Sequence, residues 1–178
     1  MELKTLSDGS TWARIHWLDV TTTKSWFQNA DEVQFCINQA NRYSRMGLVD
    51  RFKSRDGYYE FMLTYPSLSS SLYNRWKQTS SPNSETVSGF TKISMSWDTH
   101  YAGGLRLCDE FYKCDPNNTW FAPIGQMYAW DPNNNQWIPA VTGGSVTSTE
   151  LWVRIDNVQC DSCKIYSDRV ECSEIIEY

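Results

Sequence analysis

Six cysteines, two histidines and a scatter of carboxylates are the groups through which this 178-residue chain could do metal, nucleophilic or acid–base chemistry. Cys160-x-x-Cys163 with Cys172 supplies three thiols, and Cys108 or Cys114 could add a fourth. A structural zinc wants four N or S ligands, usually in two close pairs. Cys108 and Cys114 have five residues between them, a loose spacing for such a pair. No metal centre is therefore assigned, and disulfides among Cys108, Cys114, Cys160, Cys163 and Cys172 are expected ahead of zinc, with buried thiols the other state. Cys108–Cys114 would close a small loop around residues 109–113 in an oxidising compartment.

Nucleophilic catalysis finds little support. His16 sits in a strand pattern and His100 in a loop pattern, and no Gly-x-Ser-x-Gly elbow or phosphate-cradling glycine loop occurs. Asp98, Asp109, Glu110 and Glu60 could supply a glycosidase with its acid and base, but nothing in the sequence pairs them. The expectation is that the chain is not an enzyme and carries no cofactor.

Aromatic residues are the stronger lead. They make up 15% of the chain, with nine Trp and ten Tyr. A sugar ring offers an apolar C–H face and a rim of hydroxyls; an aromatic plane suits the first, and Asn, Asp or Arg the second. Trp97, Tyr101, Asn118, Trp120, Tyr128, Trp130, Asn134 and Trp137 cluster near turns in the second half and are the candidate ligand-binding residues. The competing reading places most of these Trp in the core.

The elements that must position such residues read as short strands bounded by turn residues. They are expected at 12–20, 32–37, 58–65, 92–97, 127–130, 136–140 and 150–155, with a last pair at 164–167 and 169–172. In the first, strict alternation sets Trp12, Arg14, His16 and Leu18 against Ala13, Ile15, Trp17 and Asp19. Short helices are expected at 38–46 and 67–77, and an exposed loop at 78–88. Asp115-Pro116-Asn117-Asn118 and Asp131-Pro132-Asn133-Asn134 are two copies of good turn chemistry. Many short strands between Gly and Pro turns imply an all-β fold, a β-sandwich of jelly-roll type with one or two short helices. Residues 1–156 read as the sandwich domain, and 157–178 as a Cys-containing C-terminal hairpin or arm.

Charge narrows the partners. The net charge is −5 and no Lys/Arg run exists, which argues against nucleic acid and against anionic membrane surfaces. No apolar stretch approaches a membrane span, and the opening nine residues lack the apolar region of a secretory leader.

Four strings carry a resemblance. They are Tyr73-Asn74-Arg75-Trp76-Lys77-Gln78-Thr79-Ser80, the stretch from Gly57 to Pro66, Trp120-Phe121-Ala122-Pro123-Ile124-Gly125, and Glu150-Leu151-Trp152-Val153-Arg154-Ile155-Asp156, with Trp97 and Gly103-Gly104-Leu105 between. In order and spacing they resemble a domain that recurs in tail, fibre and appendage proteins of bacteriophages and in extracellular proteins of invertebrates. The likeness covers roughly residues 10–156. It implies a β-sandwich for display or attachment, and it settles no ligand residues. Within it, Trp76 is expected to pin a loop to the core, with Arg75 and Lys77 pointing elsewhere.

These readings give a virion or surface-displayed attachment module, part of a phage head or tail appendage, that binds host-surface carbohydrate. Weak sugar sites gain from copy number, so a homo-oligomer is expected, with a trimer as one arrangement, beside other virion proteins. It would stand on the virion surface or otherwise be extracellular. The alternative is a structural decoration or adaptor protein with no soluble ligand, and the third reading is a polysaccharide hydrolase.

Overall fold

The computed structural model describes residues 1–19, 35–37, 40–66, 74–81, 88–94, 127–131, 136–141, 144–145, 147–157, 163–165 and 170–172. Among them run β1 (Leu3–Thr5), β2 (Thr11–Asp19), β3 (Arg42–Ser44), a 3-10 helix (Met46–Phe52), β4 (Tyr59–Thr64), β5 (Asn74–Gln78), β6 (Thr91–Ser94), β7 (Met127–Asp131), β8 (Gln136–Val141), β9 (Gly144–Ser145), β10 (Ser148–Arg154), β11 (Cys163–Ile165) and β12 (Val170–Cys172). Every strand pairing among the described residues is antiparallel.

The main sheet has seven strands in the order β1-β2-β10-β4-β5-β6. The seventh, β3, lies beside β2, so β1 and β3 share one edge of β2 end to end. The late strand β10 lies in the middle, between β2 and β4. Strands β7, β8 and β9 form a second sheet, and β11 with β12 a third.

Two regions expected to be helical differ. The 38–46 segment instead contributes β3, and the helix follows it at Met46–Phe52. Of its buried residues Met46, Leu48, Val49 and Phe52, three recur three apart, the spacing that gives a 3-10 turn one apolar side. Of the 67–77 segment, residues 67–73 lie outside the described residues and 74–77 fall in β5, whose burial alternates with period two: Asn74, Trp76 and Gln78 are buried, while Arg75 and Lys77 are half-buried. Trp76 therefore anchors a strand rather than a loop.

Strand β2 breaks the alternation expected of it. Leu151 pairs with His16 but Trp152 pairs with Arg14, which leaves Ile15 as the extra residue of a β-bulge. Directly opposed residues share a face. Glu150 opposes Trp17 and Trp152 opposes Arg14, so Trp12, Arg14, Trp17 and Asp19 lie together. His16 and Leu18 take the other face. The strict alternation expected from sequence is wrong beyond Ile15, because one inserted residue reverses every position after it.

One face carries the apolar core. Ala13, Leu18, Leu151, Val153, Phe61, Leu63 and Trp76 are buried there. Tyr59 and Phe61 stack at 6.0 Å, and Phe61 meets Trp76 at 5.7 Å. Trp76 Nε1 donates to Gln78 Oε1 at 3.0 Å, so its buried N–H is satisfied. Tyr59 shares this face, and its hydroxyl donates to Asp50 of the 3-10 helix at 3.1 Å, which places the helix over the same side. The turn into β4 uses Gly57 at φ +85°, a conformation that favours glycine. Its N–H donates to the Ser54 carbonyl, and the Ser54 hydroxyl donates to Asp56.

Candidate functional site: an aromatic and charged sheet face

The opposite face of the main sheet mixes aromatic planes with hydrogen-bonding groups in cross-strand rows. Tyr43, Trp17, Glu150 and Thr64 form one row across β3, β2, β10 and β4. Arg14, Trp152, Met62 and Arg75 form the next, across β2, β10, β4 and β5. Lys4, Trp12 and Arg154 make a third, across β1, β2 and β10.

Arg14 ties the first two rows together. Its guanidinium lies 5.5 Å from the Trp17 ring centre, 5.8 Å from Tyr43 and 5.9 Å from Trp152, within cation–π reach of all three. Arg14 Nη1 donates to Glu150 Oε1 at 3.0 Å and lies 2.9 Å from Glu2 Oε2. The second oxygen of Glu150 accepts from Thr64 Oγ1 at 3.0 Å and Trp152 Nε1 at 3.3 Å. Each of these side chains is thus held by at least one neighbour, so the surface is pre-formed.

Exposure then decides what a ligand could touch. Trp152 is buried, but Trp17, Tyr43, Arg14, Thr64 and Glu150 are half-buried. The patch extends past β3, where Cys36 bridges Ser44. Phe35 lies 5.8 Å from the Arg45 guanidinium and is 51% exposed, and nearby Ile37 is 48% exposed. Burial raises the Tyr43 hydroxyl pKa, against the opposing pull of Arg45 and Arg14.

A ladder of alternating charge borders this patch. Asp8, Arg75, Glu60, Arg154 and Asp156 follow one another through contacts of 3.0, 2.8, 3.1 and 2.8 Å. Hydrogen bonds from the Ser10 hydroxyl and N–H, then from Arg75, hold the Asp8 carboxyl well below the usual carboxylate range. The Arg154 bond does the same for Asp156, and Asp156 raises Arg154 in return. Under the ladder Trp12, Met62 and Trp152 form a buried cluster with Leu6 against it. Arg75 lies 5.0 Å above Trp12, and Lys4 lies 5.6 Å above Trp152.

The ligand-binding residues expected from sequence are not brought to this face by anything described. Trp97, Tyr101, Asn118, Trp120 and Asn134 lie outside the described residues. Tyr128 and Trp130 are in β7 and Trp137 is in β8, with Trp130 directly opposite Trp137 in the register. Cys108, Cys114 and Cys160 lie outside the described residues, while Cys163 stands opposite Cys172. Asp98, Asp109, Glu110 and His100 are likewise outside, Glu60 is engaged by two arginines, and His16 is buried on the core face.

Sequence reasoning missed Arg14, Trp17, Tyr43, Thr64 and Glu150 as a set. The signal was present in β2, whose aromatic residues stood on both faces under strict alternation; a bulge gathers them on one. Three of the strings singled out from sequence form the adjacent strands β10, β4 and β5, and they supply Glu150, Trp152, Arg154, Glu60 and Arg75 to this face. No protein-family model, curated protein or solved structure matches the chain.

Proposed function

We propose that the chain is a non-catalytic attachment module, displayed on a virion or other surface, that binds carbohydrate on the aromatic and charged sheet face. The observation that carries this reading is the row Tyr43–Trp17–Glu150–Thr64, in which two half-buried aromatic side chains stand beside a carboxylate and a hydroxyl. Such a row meets the stacking and hydrogen-bonding needs of a saccharide laid flat across the strands. A row spanning four strands suits a stretch of glycan chain better than one sugar unit. The resemblance to domains of phage appendages supports the display role, and with it a jelly-roll sandwich in which the β7–β9 sheet belongs to the second layer.

A glycan array probed with the full-length protein tests the proposal. Saturable binding to one sugar class is expected. Trp17→Ala should weaken it about tenfold or more, as loss of an aromatic anchor costs roughly 1.4 kcal/mol or above. An unchanged affinity in Trp17→Ala with an intact fold would exclude this face as the site.

Exposed Phe35 and Ile37 favour a second reading, in which this end of the sheet packs against another subunit or virion protein in a structural role. Light scattering then shows an oligomer that Phe35→Ser together with Ile37→Ser dissociates, and the array stays blank.

A further inference from the structure

The register of the last two strands has a chemical consequence. Cys163 opposes Cys172, Lys164 opposes Glu171 and Ile165 opposes Val170. We propose that Cys163 and Cys172 form a cross-strand disulfide that staples this ribbon. Opposed residues of an antiparallel pair have Cα atoms about 4.5 or 5.5 Å apart, depending on the kind of pair. Both separations fall within the roughly 4.4–6.8 Å that a disulfide spans. The staple also answers a problem of size. The two strands have three residues each and pair only with one another among the described residues. An isolated two-stranded hairpin is marginal in water at best. A covalent closure removes conformations from the open ribbon and leaves the paired form little to lose. The opposed Lys164 and Glu171 favour the register that brings the two cysteines together.

The oxidant is a small-molecule disulfide such as oxidised glutathione. One cysteine gives up its proton, and its thiolate attacks the glutathione disulfide, expelling one glutathione thiolate. The second cysteine, likewise deprotonated, attacks the mixed disulfide and expels the other. Two protein thiols become one disulfide, and one oxidised glutathione becomes two reduced ones. The bond therefore closes only after the chain meets an oxidising medium, and the ribbon is a part finished outside a reducing cytoplasm.

Peptide mapping of the full-length protein tests this. The protein is purified reduced and incubated native with oxidised glutathione. It is then alkylated in acid and cut with trypsin together with a protease that cleaves before aspartate. Cleavage at Asp161, Lys164, Asp168 and Arg169 puts Cys160, Cys163 and Cys172 on three separate peptides. The expected product joins the Cys163 peptide to the Cys172 peptide and disappears on reduction. A parallel sample oxidised in denaturant should give mixed linkages, which shows that the native fold selects this one. The proposal is overturned if native Cys172 is recovered alkylated, or joined to Cys160, Cys108 or Cys114. It is equally overturned if one equivalent of zinc copurifies and blocks the bond until a chelator removes it.

Discussion

Glu60 has a different role from the other carboxylates of its face. Its side chain is 11% exposed and accepts from Arg75 at 2.8 Å and from Arg154 at 3.1 Å, joining β4 to strands on either side. Glu2, by contrast, is 54% exposed and has Arg14 at its carboxylate. Water screens the second pair and not the first, so equal chemistry has unequal worth. Glu60→Gln is expected to destabilise the protein by about 1–3 kcal/mol in urea denaturation, since two charge-assisted bonds weaken at a mostly buried site. Glu2→Gln should stay within about 1 kcal/mol. From sequence, Glu60 was visible only as a possible acid or base. Its partners are 15 and 94 residues away, and strand pairing alone reveals them. Trp76 was legible, because a large apolar residue between two cations in a short string has few places to go. The face of Trp17 was not, because aromatic residues on both sides of β2 hint at a bulge but do not locate it at Ile15.

At the level of the element, that bulge sorts β2 into two halves. Trp12 and Arg14 before it, and Trp17 after it, reach the same side only because Ile15 is supernumerary. Deleting Ile15 leaves the remaining residues in strict alternation, with Trp12, Arg14 and Trp17 on one face and Ala13, His16 and Leu18 on the other, so no residue changes side. The expected outcome is retained cooperative unfolding and near-ultraviolet circular dichroism, with about 2–5 kcal/mol lost from the missing buried side chain. Ile15→Val, which keeps the residue count, should cost only about 0.5–1.5 kcal/mol. Most strands were legible from sequence by their apolar runs and turn residues, as with Tyr59–Thr64 between Gly57 and Pro66. Arg42–Ser44 was not, since three residues containing arginine and serine carry no periodic signal; their strand conformation comes from pairing with β2.

The whole molecule should answer to pH in two overlapping windows. Burial lowers the pKa of His16 to about 3. Its unfolded value is near 6.5, so between those limits the unfolded chain binds the extra proton. Stability is then full above about pH 6.5 and falls as pH drops, by roughly 1.4 kcal/mol per pH unit from this residue alone. Asp8, Asp56 and Asp156 have lowered pKa values, from the hydrogen bonds of Ser10, Ser54 and Arg154 respectively. Their contribution is present above the unfolded carboxylate value and is lost only as pH falls below about 4. Urea titrations from pH 7 to 3 should therefore show a slope above pH 4 that His16→Gln flattens, and a steeper one below it that His16→Gln reduces to the carboxylate part. A profile without slope between pH 6 and 4 would contradict a buried neutral His16.

The position of β10 sets an order on the making of this protein. Residues 148–154 fill the gap between β2 and β4, and 53 residues separate them from the end of β6. A ribosome has released β1 to β6 well before their central neighbour exists. Until it arrives, the nascent chain holds two strand edges open, the condition in which strands pair with the wrong partner. A product cut short by a premature stop keeps Trp17 and Tyr43 but lacks Glu150 and the strand that aligns them with Thr64. The sheet thus serves as its own proof of completeness: only a chain read through Arg154 can close its middle and present an intact face.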